Sequence, residues 1–108
     1  MNLLKAQLLE AIAALPGMEV VVWQERSDGF TTLNYRSKEI AHFHGENELD
    51  LALGKSRIKE QGLKHFADSV RHPKRGPSSA HIELRFNSPE DVDEVVRLIK
   101  VAISDRKK

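Results

Sequence analysis

Lys38-Glu39-Ile40-Ala41-His42-Phe43-His44-Gly45, closely followed by Glu48-Leu49-Asp50-Leu51, is the stretch whose reading decides the fold. Side chains of a strand leave the sheet alternately on its two faces, so Ala41 and Phe43 share one face and His42 and His44 the other. The same alternation sends Leu49, Leu51 and Leu53 to the apolar side and Asp50 to the opposite one. Gly45-Glu46-Asn47 lies between the two runs and has the composition of a tight connection, so they form an antiparallel pair. One face of that pair is apolar; the other carries imidazoles and a carboxylate.

Two further strands precede this pair. Glu19–Gln24 contains Val20, Val21, Val22 and Trp23, and Phe30–Tyr35 follows it across the turn residues Ser27-Asp28-Gly29. Arg36-Ser37-Lys38 is short enough to connect Phe30–Tyr35 directly to Glu39–His44, which predicts a four-stranded meander. His81-Ile82-Glu83-Leu84-Arg85-Phe86 alternates strictly and predicts a fifth strand, with Ile82, Leu84 and Phe86 inward and His81, Glu83 and Arg85 outward.

Helices bracket these strands. Leu4, Leu8, Ala11, Ile12 and Leu15 follow helical spacing, with Asn2 available as a cap and Pro16-Gly17 as a stop. Ser56 can cap a short helix through Gln61, with Gly62 at its left-handed C-terminal position. Ser88-Pro89-Glu90-Asp91 combines a capping hydroxyl, a first-turn proline and two first-turn acids, and Val92, Val95, Val96, Ile99, Ala102 and Ile103 supply the buried stripe that follows. The order α-β-β-β-β-α-β-α predicts an α+β two-layer sandwich, its sheet mostly antiparallel and its helices on one face. The other face is expected to be open. Residues 1–108 are read as one domain with a flexible tail from about 105 to 108; Lys64–Ser79 shows no clear period, with His65–Val70 able to extend the helical region and Pro73 and Pro77 keeping the rest irregular.

Composition narrows the function classes. A chain of 108 residues can bury a single core, and the absence of cysteine removes disulfides, thiolate catalysis and cysteine-held metals and fits a reducing compartment. No signal-peptide pattern and no apolar run approaching the ~20 residues of a membrane span is present, so a cytoplasmic, non-membrane protein is expected. Seventeen basic against sixteen acidic side chains give a net charge of +1, too small to imply a polyanionic partner. Between Lys55 and Arg75, seven cations face two acids, a local excess of five in which Lys64, Arg71, Lys74 and Arg75 are the candidate anion contacts. Phe66 is the one aromatic in that segment available to stack on a base, so nucleic acid is not the expected partner.

Candidate ligand-binding residues are His42, His44, Asp50, His81 and Glu83, all assigned to the outward face. Imidazole and carboxylate together can hold a metal or exchange protons near neutrality. Histidines on a sheet face more commonly make solvent or cross-strand hydrogen bonds, and no nucleophile or complete ligand set is legible. No metal site or cofactor is therefore assigned. Gly54-Lys55-Ser56 has the ending of a phosphate-binding loop, but Leu49 stands where that loop needs glycine.

Glu39-Ile40-Ala41-His42-Phe43-His44-Gly45, Asp50-Leu51, His72-Pro73, Ser79-Ala80-His81-Ile82-Glu83 and Ser88-Pro89-Glu90-Asp91-Val92 together resemble the small luciferase-domain family of bacterial and fungal proteins. The resemblance runs over nearly the whole chain beyond the first helix and is most specific at the histidine-glycine strand. Members often carry Ser-Gly-Trp where this chain has Ser79-Ala80-His81, so no role of that tryptophan transfers. The preferred reading is a small non-catalytic binding or interaction domain of that family, its ligand an unknown small molecule or protein. A histidine-based or metal-dependent enzyme using the same outward face is the alternative.

Overall fold

A computed structural model describes residues 3–22, 31–44, 47–63 and 79–106, His44 by its backbone alone. Its elements are α1 (Leu3–Ala13), β1 (Met18–Val22), β2 (Thr31–Tyr35), β3 (Lys38–His44), β4 (Glu48–Leu51), α2 (Lys55–Glu60), β5 (Ile82–Arg85) and α3 (Pro89–Arg106). The strands form one antiparallel sheet in the order β1-β2-β3-β4-β5, so the meander is complete and β5 adds beside β4. The Ser27-Asp28-Gly29 turn, the Asn2 cap and Lys64, Arg71, Lys74 and Arg75 lie outside the described residues.

The two-residue period places the core where the sequence put it. Leu33, Ala41, Leu51 and Ile82 align in register across four strands, and Thr31, Phe43, Leu49 and Leu84 form the next such row. All eight are buried, together with Leu8 and Ile12 of α1 and Val92, Val95, Leu98, Ile99, Ala102 and Ile103 of α3. Phe43 meets Phe86 edge-on, with ring centroids 6.0 Å apart and planes at 86°, a favourable aromatic geometry. Lys5 is a departure from the apolar stripe of α1. It is buried and sets its ammonium 5.3 Å from the centroid of the Phe43 ring, a cation–π contact that ties α1 to β3.

Helix ends follow local chemistry with one exception. Ser88 accepts from the Asp91 amide at 3.2 Å, and the Asp91 carboxylate accepts from the Asn87 amide at 2.9 Å, which satisfies donors at the start of α3. α2 begins differently: Gly54 holds the N-cap position without a side-chain hydrogen bond, and Ser56 sits inside the helix instead of capping it. Its C-terminus is as expected. Gly62, at φ +68°, lets the Gly62 amide reach the Lys59 carbonyl and the Leu63 amide reach the Ile58 carbonyl, the paired bonds of a Schellman ending.

Asp105 and Arg106 complete the last turn of α3, because each is anchored to α2 or the segment before it. Arg57 grips Asp105 through Nε at 2.9 Å and Nη2 at 2.7 Å while its Nη1 donates to Glu60. Those carboxylates, Asp105 foremost, hold the Arg57 guanidinium above its already high ordinary pKa. Arg106 donates to the carbonyls of Ala102 and Ala52 at 3.0 and 2.8 Å.

Leu84→Ala is expected to lower unfolding free energy by about 2–5 kcal/mol in denaturant melts, the usual cost of truncating a buried leucine. The β2–β3 hairpin offers the opposite test. Its two turn residues, Arg36 and Ser37, are non-glycine residues at φ 51° and 72°. The left-handed region costs an L-residue roughly 1–2 kcal/mol, and glycine gives part of that back as unfolded-chain entropy. Ser37→Gly should therefore stabilise the fold by about 0.5–1 kcal/mol in the same melts.

Candidate functional site

Beneath the helices the sheet turns a polar face outward, and the strand register brings its side chains into one line. Thr32 of β2 opposes His42 of β3, His42 opposes Asp50 of β4, and Asp50 opposes Glu83 of β5. Three of the five candidate residues are thus direct cross-strand neighbours. His81 precedes β5, two residues from Glu83, and is exposed; the side chain of His44 lies outside the described residues.

This face differs from the open, wet surface the alternation suggested. Thr32, Asp50 and Glu83 are buried at 3%, 2% and 5% exposure. Like charges set directly opposite one another across strands repel, and burying a carboxylate without compensation is expensive. The structure supplies compensation from both ends of the row. Arg85 donates from Nε to Glu83 at 2.9 Å, and Nε2 of His42 lies 3.7 Å from Asp50, within ion-pair range but beyond a hydrogen bond.

His42 is the accessible member of the row, with 20% of its side chain exposed. Its other ring nitrogen, Nδ1, is 3.0 Å from Oε2 of Glu39, an exposed residue three positions earlier on the same strand. The ring therefore stands between two carboxylates, one exposed and one buried. Next to Glu39 across β2–β3 is Asn34, whose Oδ1 is buried without a hydrogen-bond partner. A buried acceptor left unpaired costs on the order of 1–3 kcal/mol.

Glu39 and Asn34 were not among the sequence candidates. The signal that could have found Glu39 is a bulge: the register shifts between Leu33 and Asn34, which skips Ile40 and returns Glu39 to the face of His42. Sequence period alone would have set residues three apart on opposite faces. Among the described residues, no group of three or more histidines or acids has the geometry to hold a metal ion. Among the same residues, no helix is long and apolar enough to cross a membrane.

A family model described as the Luciferase domain matches residues 37–102, which takes in β3 through most of α3 and leaves out α1, β1 and β2, a narrower span than the motifs suggested. No curated protein and no solved structure matches the chain. The match covers more than half of the sequence and contains His42, His44, Asp50, His81 and Glu83, and on that ground the chain belongs to the Luciferase-domain family.

Proposed function

We propose that this chain is a cytoplasmic, non-catalytic binding domain whose contact surface is the sheet face that carries His42. The observation that carries this reading is the placement of one part-exposed imidazole between Glu39 and Asp50. Both ring nitrogens are directed at carboxylates, so the ring is held in a fixed orientation as a contact, with neither nitrogen aimed outward as a general base would require. Exposed His81, just before β5, adds to the same candidate surface, and Asp50 and Glu83 line it beside His42.

The charge of the surface selects its ligand. Among the described residues Glu39, Asp50 and Glu83 outnumber Arg85, so the face favours a small molecule or protein segment rich in hydrogen-bond donors. A second reading has one observation in its favour: the carboxylate–imidazole contact at Glu39 is also how acid/base histidines are oriented. Turnover of any screened substrate that is lost in His42→Asn would favour that reading over binding.

A ¹H–¹³C and ¹H–¹⁵N chemical-shift screen against amine- and guanidinium-bearing compounds tests the proposal. Perturbations should centre on the His42 ring and the amides of Ala41, Phe43 and Asp50, and His42→Ala should abolish them. That variant should lose no more than about 1 kcal/mol of stability, whereas Asp50→Ala should lose about 1–3 kcal/mol because it removes a buried partner. Perturbations confined to the helical layer, or a response that survives His42→Ala, would place the binding surface elsewhere.

A further inference from the structure

The described arginines divide into two groups. Arg57 is paired with Asp105 and Glu60, Arg85 with Glu83, and Arg97 with Glu94. Arg36 and Arg106 have no carboxylate partner among the described residues, and both line the same cavity, with Lys38 and Tyr35 completing its wall. The cavity encloses about 350 Å³, within the size range of small-ligand pockets. Among the described residues, three cations and no acid face it.

We infer that this cavity, formed where the β2–β3 hairpin meets the end of α3, is a binding site for a small oxyanion, a phosphoryl or carboxyl group. The site is built on fixed parts. The Arg106 guanidinium is pinned by the carbonyls of Ala102 and Ala52, which occupy two of its five N–H donors and leave three. The Arg36 guanidinium lies 5.2 Å from the centroid of the Tyr35 ring. That ring is itself confined, because a Cβ at Gly17 would come within 2.8 Å of its Cε1. The Arg36 amide bonds the Gly17 carbonyl at 3.0 Å, which fixes the hairpin against the α1–β1 turn.

Backbone conformation points the same way. A two-residue hairpin turn with positive φ at both positions is ordinarily served by Asn-Gly, yet Arg36 and Ser37 occupy it here. The strained turn carries Arg36 and, just after it, Lys38 to the wall of the cavity. Strain of this kind is a feature of ligand-binding backbone. Three unpaired cations in one concavity repel one another, and an oxyanion relieves that repulsion while accepting charge-assisted hydrogen bonds.

The test is a titration with inorganic phosphate and, separately, with acetate, each at ionic strength held constant with sodium chloride and followed by ¹H–¹⁵N spectra. Saturable shifts of the Arg36, Ser37 and Lys38 amides and the Arg106 Nε–H by either anion are expected, and the stronger one identifies phosphoryl or carboxyl. Arg36→Asn keeps a turn residue suited to positive φ while removing the charge, so the fold should persist and affinity should fall about fivefold or more. Lys38→Ala should do the same. His42→Ala should leave the titration unchanged, which separates this site from the sheet face. Shifts that chloride reproduces, affinity unaltered in Arg36→Asn, or saturation by a single-stranded oligonucleotide where phosphate and acetate fail would each overturn the proposal.

Discussion

The register of β3 is the constraint on which the rest of the molecule depends. Phe43 fills the core against Phe86 and Lys5, and it can do so only when His42 points the other way. A slip of one residue would exchange the faces of the whole strand, exposing Phe43 and driving His42 under the helices. The rows Leu33–Ala41–Leu51–Ile82 and Thr31–Phe43–Leu49–Leu84 make that slip costly at eight positions at once. Burial on one face thereby fixes the polar line on the other, so packing energy sets which face His42, Asp50 and Glu83 occupy.

The polar line shows how such a row is tolerated. Asp50 and Glu83 are cross-strand neighbours, nearly inaccessible, and of the same charge, an arrangement a core has no reason to keep. An apolar pair there would pack at no electrostatic cost. The flanking groups supply opposite charge or donors at each end: Arg85 beside Glu83, and beside Asp50 an imidazole that carries charge when protonated. The flanking groups thus offset the cost of placing two carboxylates side by side on that face.

Most of the architecture was legible because alternation and capping are local. The strict period of Ile82–Phe86 and the Ser88-Pro89-Glu90-Asp91 start each specify an element within a few residues. The failures were long-range. Ser56 looked like a cap, but Gly54 occupies that position, its own amide bonded to the Ala80 carbonyl from a distant segment. Lys5 lies on the buried stripe of α1, yet its charge hid it until the Phe43 ring was seen facing it. The contacts of Asp105 and Arg106 were not legible either, because their partners, Arg57 and the Ala52 carbonyl, are roughly fifty positions away. Outward placement of Asp50 and Glu83 could be read from the period; their burial could not, because it depends on what the rest of the chain packs over that face.

The bulge in β3 connects these observations to function. In a regular strand, Glu39 and His42 would lie on opposite faces and could not touch. Ile40 is the inserted residue, itself buried at 1% exposure, and its insertion reverses the alternation between Asn34↔Glu39 and Thr32↔His42. Glu39 is thereby carried to the outer face, within 3.0 Å of the imidazole, and Lys38 to the hairpin end that borders the cationic cavity. One extra residue thus sets a carboxylate on the ring and orients the two ends of β3 toward different chemistry, an acidic, donor-seeking surface at His42 and a basic concavity at Lys38. Bulges recur beside functional residues because they re-aim side chains without altering the core, and here the re-aimed side chain is the one that holds His42 in place.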